Sequence, residues 1–197
     1  AEVRAQSISR RLARPFARTT PEYPQASRFV AAASGNYRAS TGLRTIERIV
    51  IHITDGGANI NGTISWFQNP KAKVSAHYVV GQDGEIVQMV EHNDVAWHAG
   101  SANGNSIGIE HVANTKGLAP TAVQYSASAG LVAWLCDQYG IAADRDHVVG
   151  HYEADPSTTH TGCPNAVWDW NYYMGLITSR SSYAPPTPFP AASKAFS

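Results

Sequence analysis

The stretch Glu47–Thr54, ERIVIHIT, decides the fold. Its β-branched residues favour a strand, because a branched Cβ packs well on a pleated surface and loses rotamers in a helix. Side chains alternate along a strand, so Ile49, Ile51 and Ile53 point one way and Val50, His52 and Thr54 the other. The DGG that follows is a turn signal. Downstream, GTISWFQN (62–69) reads as a short helix stopped by Pro70, and SAHYVVGQDGEIVQMV (75–90) as a hairpin turning at QDGE. NSIGIEHV (105–112) is a further strand, and DHVVGH (146–151) a short one ending on a histidine.

Two longer helices complete the pattern. One opens at Pro120 and Thr121, with Gln124 placed as a capping-box partner, and stops at Gly140. Its expected apolar stripe is Val123, Ala127, Leu131, Leu135 and Trp134. The other is NAVWDWNYYMGLIT (165–178). Strands mixed with helices predict an α/β domain, a central mixed β-sheet flanked by α-helices, over residues 47–178. Residues 1–46, rich in Arg, Ser, Ala and Pro, read as an extension packed on or leading into that domain, with a short helix near 4–13. The Pro-rich stretch 179–197 reads as an extended tail.

Composition narrows the function. At 197 residues the chain can bury a full core without staples, and its two cysteines do not make a disulfide scaffold. Formal net charge is zero, which argues against a dedicated nucleic-acid binder, and no apolar run approaches a membrane span. The first twenty residues carry five arginines (Arg4, Arg10, Arg11, Arg14, Arg18), a solvated leader or a means of attachment to an anionic surface. The chain opens on Ala with no apolar leader, as a trimmed exported chain would; a secreted or wall-associated monomer is the expectation.

The chemistry centres on THTGCPN (159–165). On local grounds Cys163 is half of a disulfide with Cys136, a buried thiol, a nucleophile next to His160, or a metal ligand. Of the eight histidines, His52 sits on a strand face opposite its isoleucines, as a hydrogen-bonded strand histidine or a ligand, and His151 follows VVG at a strand end, where ligands and catalytic groups tend to lie. Two imidazoles and a thiolate are three good zinc ligands, and three protein ligands with a fourth position open is the catalytic arrangement. His147 and His151 are four apart, as in a helical zincin, but VVG is a poor helix and the residue after His147 is Val148, not Glu. Glu110 stands in the otherwise apolar SIGIEHV, as a general base or as a carboxylate with a partner or facing solvent. His160 and Thr161 could serve an oxyanion. AWHAG (96–100) sets Trp97 and His98 in a Gly/Asn-rich loop, suited to a sugar or peptide groove or to a plain surface loop.

IVIHIT, SAHYVVGQDGEIVQMV, AWHAG, NSIGIE and GHYEA followed by HTGCP occur in this order, and together they resemble the zinc-dependent N-acetylmuramoyl-L-alanine amidases. That family also holds phage lysozyme-type amidases and animal peptidoglycan recognition proteins. YPQASRFVAAASGNYRAS before the core and WDWNYYM after it are similar to its secreted actinobacterial branch. The resemblance implies a mixed sheet with flanking helices, one zinc on His52, His151 and Cys163, and peptidoglycan as substrate. The bond cut would be the amide between the lactyl group of N-acetylmuramic acid and L-Ala. It further implies Glu110 as the base, since Ala76 stands where other members carry a catalytic Tyr. His160 or Thr161 would hold the oxyanion, and Trp97, His98 and Asn105 would line the groove.

Overall fold

A computed structural model describes residues 18–181. The expected helix near 4–13, most of the basic arm and the tail from 182 lie outside the described residues. The strands are β1 Arg28–Phe29, β2 Tyr37–Arg38, β3 Arg48–Ile53, β4 Tyr78–Val80, β5 Ile86–Gln88, β6 Val95–Ala96, β7 Ser106–His111 and β8 Val148–Gly150. The helices are α1 Ile60–Gln68, α2 Ala122–Tyr139, the single turn α3 His151–Ala154, and α4 Trp170–Thr178; a 3-10 segment covers Gly100–Asn105.

The main sheet has the order β1-β5-β4-β7-β3-β8. Only the β4–β5 hairpin is antiparallel; β3 runs parallel to both its neighbours, β7 and β8. That central place explains its sequence, since from Ile49 to Ile53 every residue is buried. Ile49, Ile51 and Ile53 enter the larger core with Leu131, Leu135, Tyr173 and Ile177, from α2 and α4. Val50 faces the other way, into a small cluster with Ala99, Ala102, Val149 and Ala154. Farther along that face, α1 buries Ile64 and Phe67 against Val79, Val87 and Met89.

Two expectations shift. Val123 is not in the stripe of α2: it is 58% exposed. Gln124 turns inward instead, its amide adding a donor to the Val80 and Val112 carbonyls beyond Val112 N and Gln82 Nε2. Only half a capping box therefore forms, with Thr121 Oγ1 accepting from Gln124 N. At the other end Gly140 adopts φ +64°, the left-handed cap. The last helix starts at Trp170, not 165, because Asp169 caps it by accepting from Tyr172 N and the residues before it form turns. The segment before 47 packs on the domain, β1 pairing parallel with β5 and covering the outer edge of the hairpin while β2 pairs antiparallel with β6.

Candidate metal centre and groove

Parallel strands collect their functional groups at their carboxyl ends. His52 is the fifth residue of β3, and β8 hands its chain straight to His151, the first residue of α3. Cys163 comes from the turns that follow, in a cis peptide bond with Pro164. The ligand atoms of His52, His151 and Cys163 lie within 4.8 Å of one another, with 4.0 Å from Cys163 Sγ to His52 Nδ1. A tetrahedral zinc places N and S ligands roughly 3.3–3.6 Å apart, so small side-chain rotations bring the three into range.

The electrostatics suit a cation. Burial, then the neighbouring histidines, holds His52 well below the ordinary imidazole range, and burial also lowers His151. Both rings are therefore neutral, the form that ligates. Burial and the nearby Glu110 push the Cys163 thiol up to about 12. A bare nucleophile would need the opposite shift, so the structure speaks against the cysteine-nucleophile alternative. The Ile53 N–H points at Sγ from 3.3 Å, a donor ready for a thiolate that a metal ion would create. Cys136 and Cys163 are both free and buried, so the disulfide alternative is not what the fold adopts.

Glu110 is the register partner of His52 across β3 and β7. Its Oε2 is buried and has no hydrogen-bond partner, and desolvation pushes its pKa up to about 8. An unsatisfied buried carboxylate oxygen costs stability and points to a task.

These groups floor a groove of about 790 Å³. Its walls include Trp66 and Phe67 from α1, Trp97, and His160. The His160 ring stacks on His151 at 5.9 Å, 21° between planes. Thr161 is exposed and is not among the groove-lining residues. Asn105 is not there either: it sits at the opposite end of β7, its amide donating to Glu47 Oε2 at 2.5 Å. His98 borders the groove, but both its ring nitrogens are engaged, with His52 Nε2 at 3.0 Å and Ser106 Oγ at 3.2 Å.

Two supports escaped the sequence reading. Arg44, in the stretch taken as an extension, donates to the carbonyls of His92, Asn103, Gly104 and Ser106, clamping the loop that carries His98. His111 Nδ1 meets the His52 carbonyl at 2.9 Å, and its Nε2 meets Ser128 Oγ, itself 2.6 Å from Tyr173 OH. The signal for His111 was a histidine in an apolar strand; nothing local marked Arg44.

A mixed sheet with a two-histidine, one-cysteine cluster at its strand ends and helices on both faces defines the class. Residues 42–166 match the family described as N-acetylmuramoyl-L-alanine amidase. The chain belongs to that family. It is 40% identical over 164 residues to N-acetylmuramoyl-L-alanine amidase A of Achromobacter lyticus, covering 74% of this chain and 90% of that protein. It is 35% identical over 117 residues to 1,6-anhydro-N-acetylmuramyl-L-alanine amidase AmpD of Salmonella typhimurium, covering 55% of this chain but only 60% of that one. Among solved structures, the catalytic domain of XlyA superposes with a TM-score of 0.61 at 27% identity, covering 76% of this chain and 97% of that one. A selenomethionine derivative of AmpD gives 0.60 at 28%, covering 76% and 93%.

Proposed function

We propose that this chain is a peptidoglycan hydrolase that cuts the amide between the lactyl group of N-acetylmuramic acid and L-Ala of the stem peptide, with zinc as its metal. The observation that carries the reading is the convergence of His52, His151 and Cys163 beside the unpartnered Glu110, in a chain of this family. His52, His151 and Cys163 would hold the ion. When bound, zinc supplies Lewis-acid polarisation of a carbonyl and acidifies water.

The chain's own residues do the rest. As the carboxylate, the form a nearby bound cation or a pH above its raised pKa of about 8 favours, Glu110 takes the proton of the attacking water and returns one to the leaving L-Ala nitrogen. His160, stacked on His151 and lining the groove, takes the role of holding the developing oxyanion in this reading, in preference to Thr161. Trp66, 51% exposed, and Trp97 offer flat apolar surface to a sugar or peptide.

Among the described residues no helix is long and apolar enough to cross a membrane. We extend the reading to an exported or wall-associated monomer of the actinobacterial branch, supported by the flanking segments YPQASRFVAAASGNYRAS and WDWNYYM. The deciding experiment is mass spectrometry of cell-wall fragments after incubation with the chain. Free stem peptides beginning at L-Ala support the reading. Bound but uncut walls, with no release from dye-labelled material, mean a binding protein without catalysis.

A further inference from the structure

The proton positions around His52 can be worked out from one end of a short chain of hydrogen bonds. Ser106 Oγ lies 2.6 Å from the Ala102 carbonyl. A carbonyl only accepts, so the single hydroxyl proton of Ser106 is committed there. Toward His98 Nε2, 3.2 Å away, Ser106 Oγ can then only accept, which places a proton on Nε2 of His98. In a neutral imidazole the other nitrogen is bare, so His98 Nδ1 accepts from its 3.0 Å neighbour, His52 Nε2. His52 therefore carries its proton on Nε2, and its Nδ1 lone pair faces Cys163 Sγ.

A separate observation shows that the fold is shaped to hold His98 in this place. Gly108, in the middle of β7, is pressed against the face of the His98 ring. A Cβ at Gly108 would stand 2.5 Å from Cγ and 2.6 Å from Nδ1 of His98. The backbone of His98 is also pinned, since its N–H and that of Ala99 both donate to Asn103 Oδ1, in the loop that Arg44 clamps. The close approach of Gly108 and these backbone bonds hold the ring where it meets His52.

We infer that His98 is a positioning residue: with Ser106 behind it and Gly108 beneath it, it locks His52 in the tautomer whose Nδ1 is free to bind the metal. This rests on the metal reading of the site and changes the place of His98, which acts through His52 and not on substrate. It also gives Gly108 in SIGIE and Ser106 before it a reason to be what they are. Outer partners of ligating histidines commonly act in this way.

The test uses the full chain in two forms. In the metal-free protein, long-range nitrogen-15 correlation spectra read the tautomer directly. His52 protonated at Nε2 supports the relay; His52 protonated at Nδ1 overturns it. Zinc dissociation constants, measured by competition with a chromophoric chelator, then compare the parent with His98→Phe, His98→Asn and Ser106→Ala. Phe keeps the ring shape and removes both nitrogens, so zinc should weaken by about 10–100-fold. Asn keeps an acceptor at the δ position and should recover most of that loss, which a merely space-filling role would not produce. Ser106→Ala frees the His98 tautomer and should weaken zinc without touching any ligand. Unchanged affinity in folded His98→Phe overturns the inference. A parent that binds no zinc defeats the metal reading instead, and the tautomer spectrum still decides the relay.

Discussion

Glu110 stands directly across from His52, one strand over, in the parallel pairing of β7 with β3. Register partners on neighbouring strands send their side chains to the same face of a sheet, so Glu110 and His52 both line the groove. This makes Glu110→Gln a clean test, because it keeps the shape and removes only the base. Turnover should fall by about 10²–10⁴-fold, the usual contribution of a general base. Bound metal, measured by elemental analysis of the same sample, should stay at the parent level. Parent-like turnover would remove Glu110 from the mechanism.

Cys163 yields the second prediction. Its thiol has no disulfide partner, and burial keeps it protonated until a cation takes the proton's place. Denatured, metal-free protein should show two titratable thiols. The folded, zinc-loaded chain should hold one zinc, and Cys163→Ala should hold little or none. A chelator should abolish activity and lower the melting temperature, since a ligand bound only to the folded state stabilises it by mass action. Full zinc occupancy in Cys163→Ala would exclude the thiolate as a ligand.

The core strand was legible in the sequence because it carries a local mark, and the candidate cluster of His52, His151 and Cys163 because several motifs follow in a fixed order. ERIVIHIT has β-branched residues in period two, and His52 breaks an apolar face. His151 and Cys163 are marked only in company, since His52 is about a hundred residues from either, and it took the order of several motifs to bring them together. What stayed hidden was set by tertiary geometry. Val123 is exposed and Gln124 buried on α2, its amide donating across to the Val80 and Val112 carbonyls, a tertiary contact that no helical periodicity can register. Asn105 sits in the right motif but at the wrong end of β7, and a strand's direction relative to the groove is not written in its residues. β1 and β2 are two residues each, too short for any alternation to show.

His160 and Thr161 are separated by their positions and not by their chemistry. His160 is stacked on His151 at the groove mouth, whereas Thr161 lies outside the wall. His160→Ala should therefore cost about 10²–10³-fold in kcat, the effect of removing one oxyanion donor, with KM little changed. Thr161→Ala should leave kcat close to the parent. The reverse ranking, read from steady-state kinetics on a soluble muropeptide, would move the role to the threonine.

His92 gives a pH prediction away from the metal. It is buried between two phenols, with Nε2 at 2.5 Å from Tyr78 OH and Nδ1 at 2.6 Å from Tyr139 OH. Burial, then the charges of Arg44 and Arg18, drives its pKa down to about 3, from 6.5 in the unfolded chain. The folded state thus binds fewer protons than the unfolded one between these values. Its stabilising contribution is complete above pH 6.5 and is lost as pH falls toward 3, at about 1.4 kcal/mol per pH unit inside that window. His111, brought down to about 4 by burial, acts with the same sign. Urea midpoints should therefore drop steadily from pH 7 to pH 5. The measurement specific to His92 is its ring proton resonance, which should stay flat over that range; a titration centred near 6.5 would show that the ring is open to water and takes a proton in the folded state.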